Sequence, residues 1–340
     1  MEMSPSYNKY LSPLPPHTKD EDPGKLPIYS SMAVHLLSSF DSITGSYRAE
    51  FTLELKWYDD RVSFNNLRSS PKVNQIQPEE EERLWFPAFV FENTKQKIPG
   101  LVDGKSSLKV VRGGAGYISG STAVENKLVF SGKDNFIVYE RFYSEVFDCS
   151  FHLHWYPFDT QVCYLDIEPD AELQDFVQFI TGDFKYEGPE DLTEYTVKTI
   201  SMKVEEEVTL RVEVSIQRRL LSLILRTFIP TVILNIIGHM SNYYKETFFV
   251  GLMTLNVTVT LVLTTMFLSI STNLPPTAYI KMIDVWLLFN LLKPFIDIIV
   301  NTYIENLRDQ SDAGAGSPKL AEVSTQRKPE QRRFVSQKNL

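Results

Sequence analysis

Residues 248–270 run for 23 positions without one charged side chain. As a helix, a run of that length crosses a bilayer, whose hydrocarbon core needs about 20 mostly apolar residues. Two more segments resemble it. Residues 220–237 are apolar apart from Ser222, Arg226, Thr227, Thr231 and Asn235, with Pro230 inside; residues 285–304 are largely apolar but carry Lys293 and Asp297. A buried helix pair in a soluble protein has a similar composition, but three such segments in succession speak for membrane spans. Lys293 and Asp297 stand one helical turn apart and can pair. Charge in lipid is expensive, so that pair is expected to turn into the bundle.

Within the middle run, Thr254, Thr258, Leu261, Thr265, Leu268 and Thr272 recur at intervals of four and three, a spacing that places them on one helix face. Hydroxyls broken by leucine suit a water-lined pore with a hydrophobic constriction. Threonines bonding back to their own helix leave the same pattern.

The rest of the chain has a different character. Residues 1–219 hold 35 acidic and 23 basic residues, a charge of −12; residues 220–340 hold 8 and 11, a charge of +3, and together they make −9. An acidic N-terminal half argues against nucleic acid as a partner. Residues 28–219 read as short strands. Phe51–Trp57 alternates apolar and polar, the period of a half-buried strand, and residues 128–130, 136–139, 196–200 and 210–214 are similar. Turn signals at Thr44-Gly45-Ser46, residues 113–116 and residues 131–134 separate them. The pattern predicts an antiparallel β-sandwich. No Gly-Lys-Ser/Thr follows the glycine cluster at 113–116, so it reads as a hairpin tip rather than a phosphate loop. Residues 1–27 are polar and proline-rich and read as a flexible lead. Residues 308–340 read as a disordered basic tail.

Cys149 and Cys163 are the only cysteines. They are either two buried thiols or one disulfide; a disulfide would close a short loop and place this half outside the cell. Between them lie Tyr156-Pro157-Phe158-Asp159 and Gln161. This pattern resembles the signature of the Cys-loop receptors, the pentameric ligand-gated ion channels. Trp57-Tyr58-Asp59-Asp60-Arg61 is similar to the family's Trp-x-Asp-x-Arg, and Leu84-Trp85-Phe86-Pro87 to its Leu-Trp-x-Pro. Leu165-Asp166-Ile167-Glu168 matches the segment after the disulfide loop. Met253-Thr254-Leu255 and Leu261 with Thr264-Thr265 look like its pore-lining helix.

The resemblance implies a β-sandwich extracellular domain over an all-α transmembrane bundle, with three spans visible and the family's fourth not seen. It implies a plasma-membrane channel of five subunits, a homopentamer by expectation. Its partners would be a small-molecule agonist, membrane lipid and permeating ions, with no cofactor and no metal. Cys149 and Cys163 would be the disulfide. The six residues of the stripe would line the pore, with Leu261 at the gate. Tyr156, Pro157, Phe158, Asp159, Arg218, Pro275 and Lys281 would couple binding to gating, together with the 42–46 turn; Asp159 is expected to contact Arg218. The agonist positions fall at Thr52, Phe91, Glu92, Asn93, Asp170, Tyr195, Met202 and Glu206, and the family's aromatic box is mostly missing there. Neither charge signature that sets ion selectivity precedes Met253; the nearest charges are Lys245 and Glu246. The acidic outer domain tilts the expectation to cations, with an anion channel or a non-conducting subunit as alternatives. No nucleophile–base pair or metal spacing supports an enzyme, and His152 and His154 read as structural.

Overall fold

The computed structural model describes residues 1–15, 24–95, 97–100, 102–119, 127–206, 208–243 and 249–315. The described strands are β1 (Glu2–Met3), β2 (Leu26–Asp41), β3 (Ser46–Trp57), β4 (Val62–Asn65), β5 (Phe89–Phe91), β6 (Ile98–Gly100) and β7 (Ser106–Val111). They continue as β8 (Tyr117–Ser119), β9 (Lys127–Ser131), β10 (Phe136–Asp148), β11 (Thr160–Pro169), β12 (Val177–Tyr186), β13 (Tyr195–Glu205) and β14 (Thr209–Arg218). Two five-stranded sheets, in the orders β12-β2-β3-β10-β7 and β13-β14-β11-β5-β6, face each other across one core, and a four-stranded sheet β1-β4-β9-β8 closes one end. All pairings are antiparallel except β12 against β2, which is parallel.

The alternation of β3 explains its place. Phe51, Leu53, Leu55 and Trp57 are fully buried, while Thr52, Glu54 and Lys56 turn outward. The core is rich in aromatics: Phe51, Phe91, Tyr143 and Phe147 meet at ring-centre distances of 5.0–6.1 Å. Asp59, wholly buried, takes two hydrogen bonds of 2.8 Å from the Arg61 guanidinium.

The N-terminal segment differs from the flexible lead read in the sequence. Residues 1–15 pack on the sandwich, while 16–23 lie outside the described residues. Glu2 and Met3 pair with β4, the Tyr7 hydroxyl accepts a 2.6 Å bond from the Trp85 amide, and Arg61 donates to the Leu11 carbonyl at 2.7 Å. Burial pushes the Tyr7 phenol up to about 12. The cause is tertiary: a polar, proline-rich segment still binds where a folded surface offers donors and acceptors. The glycines at 113–116 are not a hairpin tip. They carry the chain from β7 to β8, in a different sheet, with the Gly113 and Gly114 amides bound to Asn135 Oδ1 at 3.0 and 3.3 Å.

Three helical segments follow, Leu221–Ser241 with a π-helical turn at Ile224–Phe228, Phe249–Thr272, and Met282–Ala315. The first two are long and apolar enough to cross a membrane. The third outruns its expected end at residue 304 because its last turns are polar helix rather than disordered tail; residues 316–340 of that tail lie outside the described residues. Polar side chains face the bundle interior. Trp286 Nε1 donates to Thr231 Oγ1 at 3.2 Å, Asn235 bonds Asn290, Ser241 Oγ meets Asn256 Oδ1 at 3.4 Å, and Lys293 pairs with Asp297 at 3.5 Å. Such groups are rarely left facing lipid.

Candidate functional site

Cys149 and Cys163 are disulfide-bonded, with Cα atoms 5.1 Å apart. The loop they close is held from inside by Gln161. Its amide takes the His152 N–H at 2.8 Å, returns a bond to the His152 carbonyl at 3.0 Å, and also donates to Asp159. The Tyr156–Pro157 peptide is cis. Asp159, 3% exposed, receives Arg218 Nε at 2.9 Å and Nη2 at 3.2 Å. The guanidinium lies 4.7 Å from the Tyr156 ring centre and 4.6 Å from that of Tyr195, within cation–π range. Burial opposes the Arg218 charge, but the Asp159 hydrogen bond and the two rings hold its pKa above the ordinary value.

The loop's far side meets the membrane helices. Leu153 and Tyr156 share an apolar cluster with Leu274, Ile283 and Leu287. The buried Leu153 amide donates to the Tyr279 hydroxyl at 3.0 Å, and the Met282 amide to the His154 carbonyl at 3.0 Å. Phe158 lies 6.3 Å from Phe228 of the first helix. Lys281, 6% exposed, extends back to the Pro275 carbonyl at 3.1 Å and ties off the linker between the second and third helices. The 42–46 turn meets the start of the disulfide loop. Gly45 accepts the Cys149 amide at 2.8 Å, and among the described residues no hydrogen bond or ion pair joins the turn to residues 275–281. The left-handed φ of +64° at Gly45 suits a residue without a side chain.

On the second helix, Thr254, Thr258, Leu261, Thr265, Leu268 and Thr272 are all exposed along one face; Asn256, Val259 and Leu263 are buried on the other. Thr254, Thr258, Thr265 and Thr272 donate their hydroxyls to carbonyls of their own helix at 2.7–3.0 Å. Back-bonding and an outward stripe therefore coexist, and the oxygens keep lone pairs free for water. Val250 and Val257, not singled out in the sequence, are exposed at the edge of the same face.

The proposed agonist residues are not brought together as an aromatic box. Phe91 is 0% exposed and Tyr195 2%; both belong to the core, where Phe91 packs on Tyr143 and Tyr195 on Arg218. Asn93 braces backbone, its Oδ1 taking the Asp166 amide at 2.9 Å. Met202 packs partly against the core. Glu92 pairs with Lys97 at 2.7 Å, while Asp170 and Glu206 are exposed. Thr52 lies on the outer face of the other sheet, hydrogen-bonded through Oγ1 to His35 Nε2 at 2.9 Å; His35 also pairs with Glu187 at 3.0 Å and stacks on the half-exposed Phe142. Sequence reading singled out Thr52 but missed its companions, because His35, Thr52 and Phe142 come from three strands, Glu187 follows the end of a fourth, and they share no motif.

The neurotransmitter-gated ion-channel ligand binding domain matches residues 2–220, and the transmembrane region of the same family matches residues 227–339. The chain belongs to the neurotransmitter-gated ion-channel family. Relatives include a glutamate-gated chloride channel subunit beta of Haemonchus contortus, 23% identical over 84% of this chain and 65% of its own length. A gamma-aminobutyric acid receptor subunit beta-4 of Gallus gallus is 25% identical over 83% and 56%. A gamma-aminobutyric acid receptor subunit beta-like protein of Drosophila melanogaster is 24% identical over 74% and 51%. The chain spans 51–65% of the length of these relatives.

The family match puts the helices in the plasma membrane and the sandwich outside the cell. Among the described residues no group of three His, Cys, Asp or Glu is placed to hold a metal. His152 and His154 serve the loop instead, His152 through its backbone bonds to Gln161 and His154 through its ring 5.6 Å from Tyr279.

Proposed function

We propose that the chain is one subunit of a pentamer of like subunits. A small-molecule agonist binding between neighbouring sandwiches opens an anion-conducting pore lined by the second helices. The observation that carries this reading is the helix Phe249–Thr272, uncharged throughout, with one face packed on its neighbours and the face of Thr254, Leu261 and Thr272 left bare. A bare row of hydroxyls broken by leucines has no use in lipid, but around a five-fold axis it makes a wettable channel with a dewetting ring at Leu261.

Preference for anions replaces the cation expectation. That expectation rested on the net charge of the sandwich and not on the second helix, which carries no charged residue. Surface charge far from the pore does not set its selectivity, and a relative is a chloride channel subunit. Signal passes from the disulfide loop to the helices through Tyr156–Asp159, the Asp159–Arg218 pair and the linker from Pro275 to Lys281. The agonist cleft is bordered by Thr52 on one face and by Glu92, Asp170 and Glu206 on the other; Phe91 and Tyr195 support it from the core.

The test is current from the chain expressed alone in a lipid membrane, beside Leu261→Ser, during a change of external chloride. A reversal potential that follows chloride supports the reading. One that follows the cation gradient overturns the selectivity, and silence of both forms despite surface expression favours a non-conducting subunit.

A further inference from the structure

The end of the sandwich remote from the helices carries a basin of about 920 Å³, within the size range of small-ligand sites. Strand β2 starts there just after Lys25, β3 ends there just before Tyr58, and the turn from β9 to β10 adds Lys133 and Asp134. Gln178 of β12 stands in the same wall. Tyr58 lies six residues beyond Thr52, a rise of about 20 Å along an extended strand, so the basin is separate from the cleft bordered by Thr52.

The wall is held in shape from behind. Buried Asn135 accepts the Gly113 and Gly114 amides on Oδ1 at 3.0 and 3.3 Å, and its Nδ2 donates to the Ser131 carbonyl at 2.7 Å. That brace draws the glycine segment against the turn from β9 to β10. A Cβ on Gly113 would stand 2.7 Å from the Asp134 carbonyl oxygen, and one on Gly114 2.6 Å from the Asp134 Cβ, so the close approach needs residues without side chains. Phe136 fixes the tyrosines: it stacks on Tyr58 at 3.9 Å between ring centres and meets Tyr29 edge-on at 5.6 Å.

Among the described residues no hydrogen bond or ion pair reaches the side chains of Lys25, Lys133, Tyr29, Tyr58 or Gln178. Two ammoniums, two phenols and one amide are therefore left as free donors around one basin. Asp134 is its only carboxylate, which leaves one net positive charge in a half of the chain whose total is −12.

We infer that this basin binds a singly charged acidic sugar, a uronate, with its carboxylate on Lys25 and Lys133 and its hydroxyls on Tyr58 and Gln178. Tyrosine presents an apolar body and a polar tip, which matches the C–H face and hydroxyl rim of a pyranose ring. An amide such as Gln178 both donates and accepts, as sugar hydroxyls do. One net positive charge suits one carboxylate, whereas a nucleotide or a heavily sulfated chain meets repulsion from the acidic sandwich around it. A free sugar acid and a uronate unit within a polysaccharide share this chemistry.

The experiment titrates the full chain, reconstituted in lipid nanodiscs, with methyl glucuronide, the neutral methyl glucoside and a hyaluronan tetrasaccharide, and reads affinity by saturation-transfer NMR. The glucuronide should bind about tenfold more tightly than the glucoside. Lys25→Gln and Lys133→Gln should each weaken it by about tenfold, the loss of one charged hydrogen bond. Tyr58→Phe, which keeps the ring on Phe136, should weaken it by about threefold. Lys198→Gln removes the same charge from an exposed position on β13 of the other sheet and should leave affinity unchanged. Tighter binding of the tetrasaccharide than of the glucuronide supports the site with a polysaccharide as its source; weaker binding supports it with a free sugar acid. Absence of binding by both acidic sugars overturns the inference, as does equal affinity for the glucoside, an equal loss in Lys198→Gln, or tighter binding of ATP. The readout needs neither agonist nor current, so its failure is distinct from failure of the proposed channel function.

Discussion

Arg218 holds Asp159 through two side-chain hydrogen bonds of 2.9 and 3.2 Å, and its own amide bonds the Asp159 carbonyl at 3.3 Å. Both side chains are less than a tenth exposed. The pair joins the tip of the disulfide loop to the last residue of the last strand, immediately before the chain enters the membrane. Removing one partner of a buried pair leaves the other charged and unanswered, which costs more than the pair is worth.

Asp159→Asn and Arg218→Gln should therefore each destabilise the sandwich by about 3 kcal/mol, with the double variant losing much less than the sum. Thermal unfolding of the three variants gives the coupling directly. Purely additive losses would mean that the two residues act independently.

Tyr279→Phe removes the acceptor for the buried Leu153 amide while keeping the ring beside His154. An unanswered buried N–H costs about 1–3 kcal/mol. The Leu153 amide should exchange faster with deuterium, while amides of β3 and β10 keep their protection. Unchanged exchange at Leu153 would mean that the amide finds another partner.

Leu261→Ser should raise the resting conductance by about tenfold, equivalent to roughly 1.4 kcal/mol in the closed–open balance. The same change at Val259, on the buried face of this helix, should instead lower expression or assembly. Vesicle flux without agonist distinguishes the two. Equal leak from both variants would contradict the assignment of faces.

Tyr7 and Tyr195 hold their protons to about 12, burial being the main cause in each, whereas an unfolded tyrosine ionises near 10. Above pH 10 the unfolded chain sheds protons that the folded one keeps, so stability is undiminished below pH 10 and falls as pH rises towards 12. Phenolate absorbance should show late-titrating groups that merge with the rest on unfolding, and Tyr195→Phe should remove one. A single transition near pH 10 in the folded protein would refute this.

Much of this was legible in the sequence because it depends on neighbours along the chain. The alternation of Phe51 to Trp57, the charge-free span around Leu261 and the three-and-four spacing from Thr254 to Thr272 each define a strand, a helix or a face without further information. The paired cysteines pointed to the family. Tertiary structure alone decided how distant residues use their chemistry. Phe91 and Tyr195 are aromatics at agonist positions by spacing, but they are core by burial, because Tyr143 of the opposing sheet covers Phe91 and Arg218 of the neighbouring strand covers Tyr195. Residues 1–15 are ordered only because Arg61, Trp85 and β4 offer them partners. The junction between sandwich and membrane is built from pairs such as Leu153 and Tyr279, 126 positions apart. No local pattern encodes such a contact; it exists only once the chain has folded back on itself.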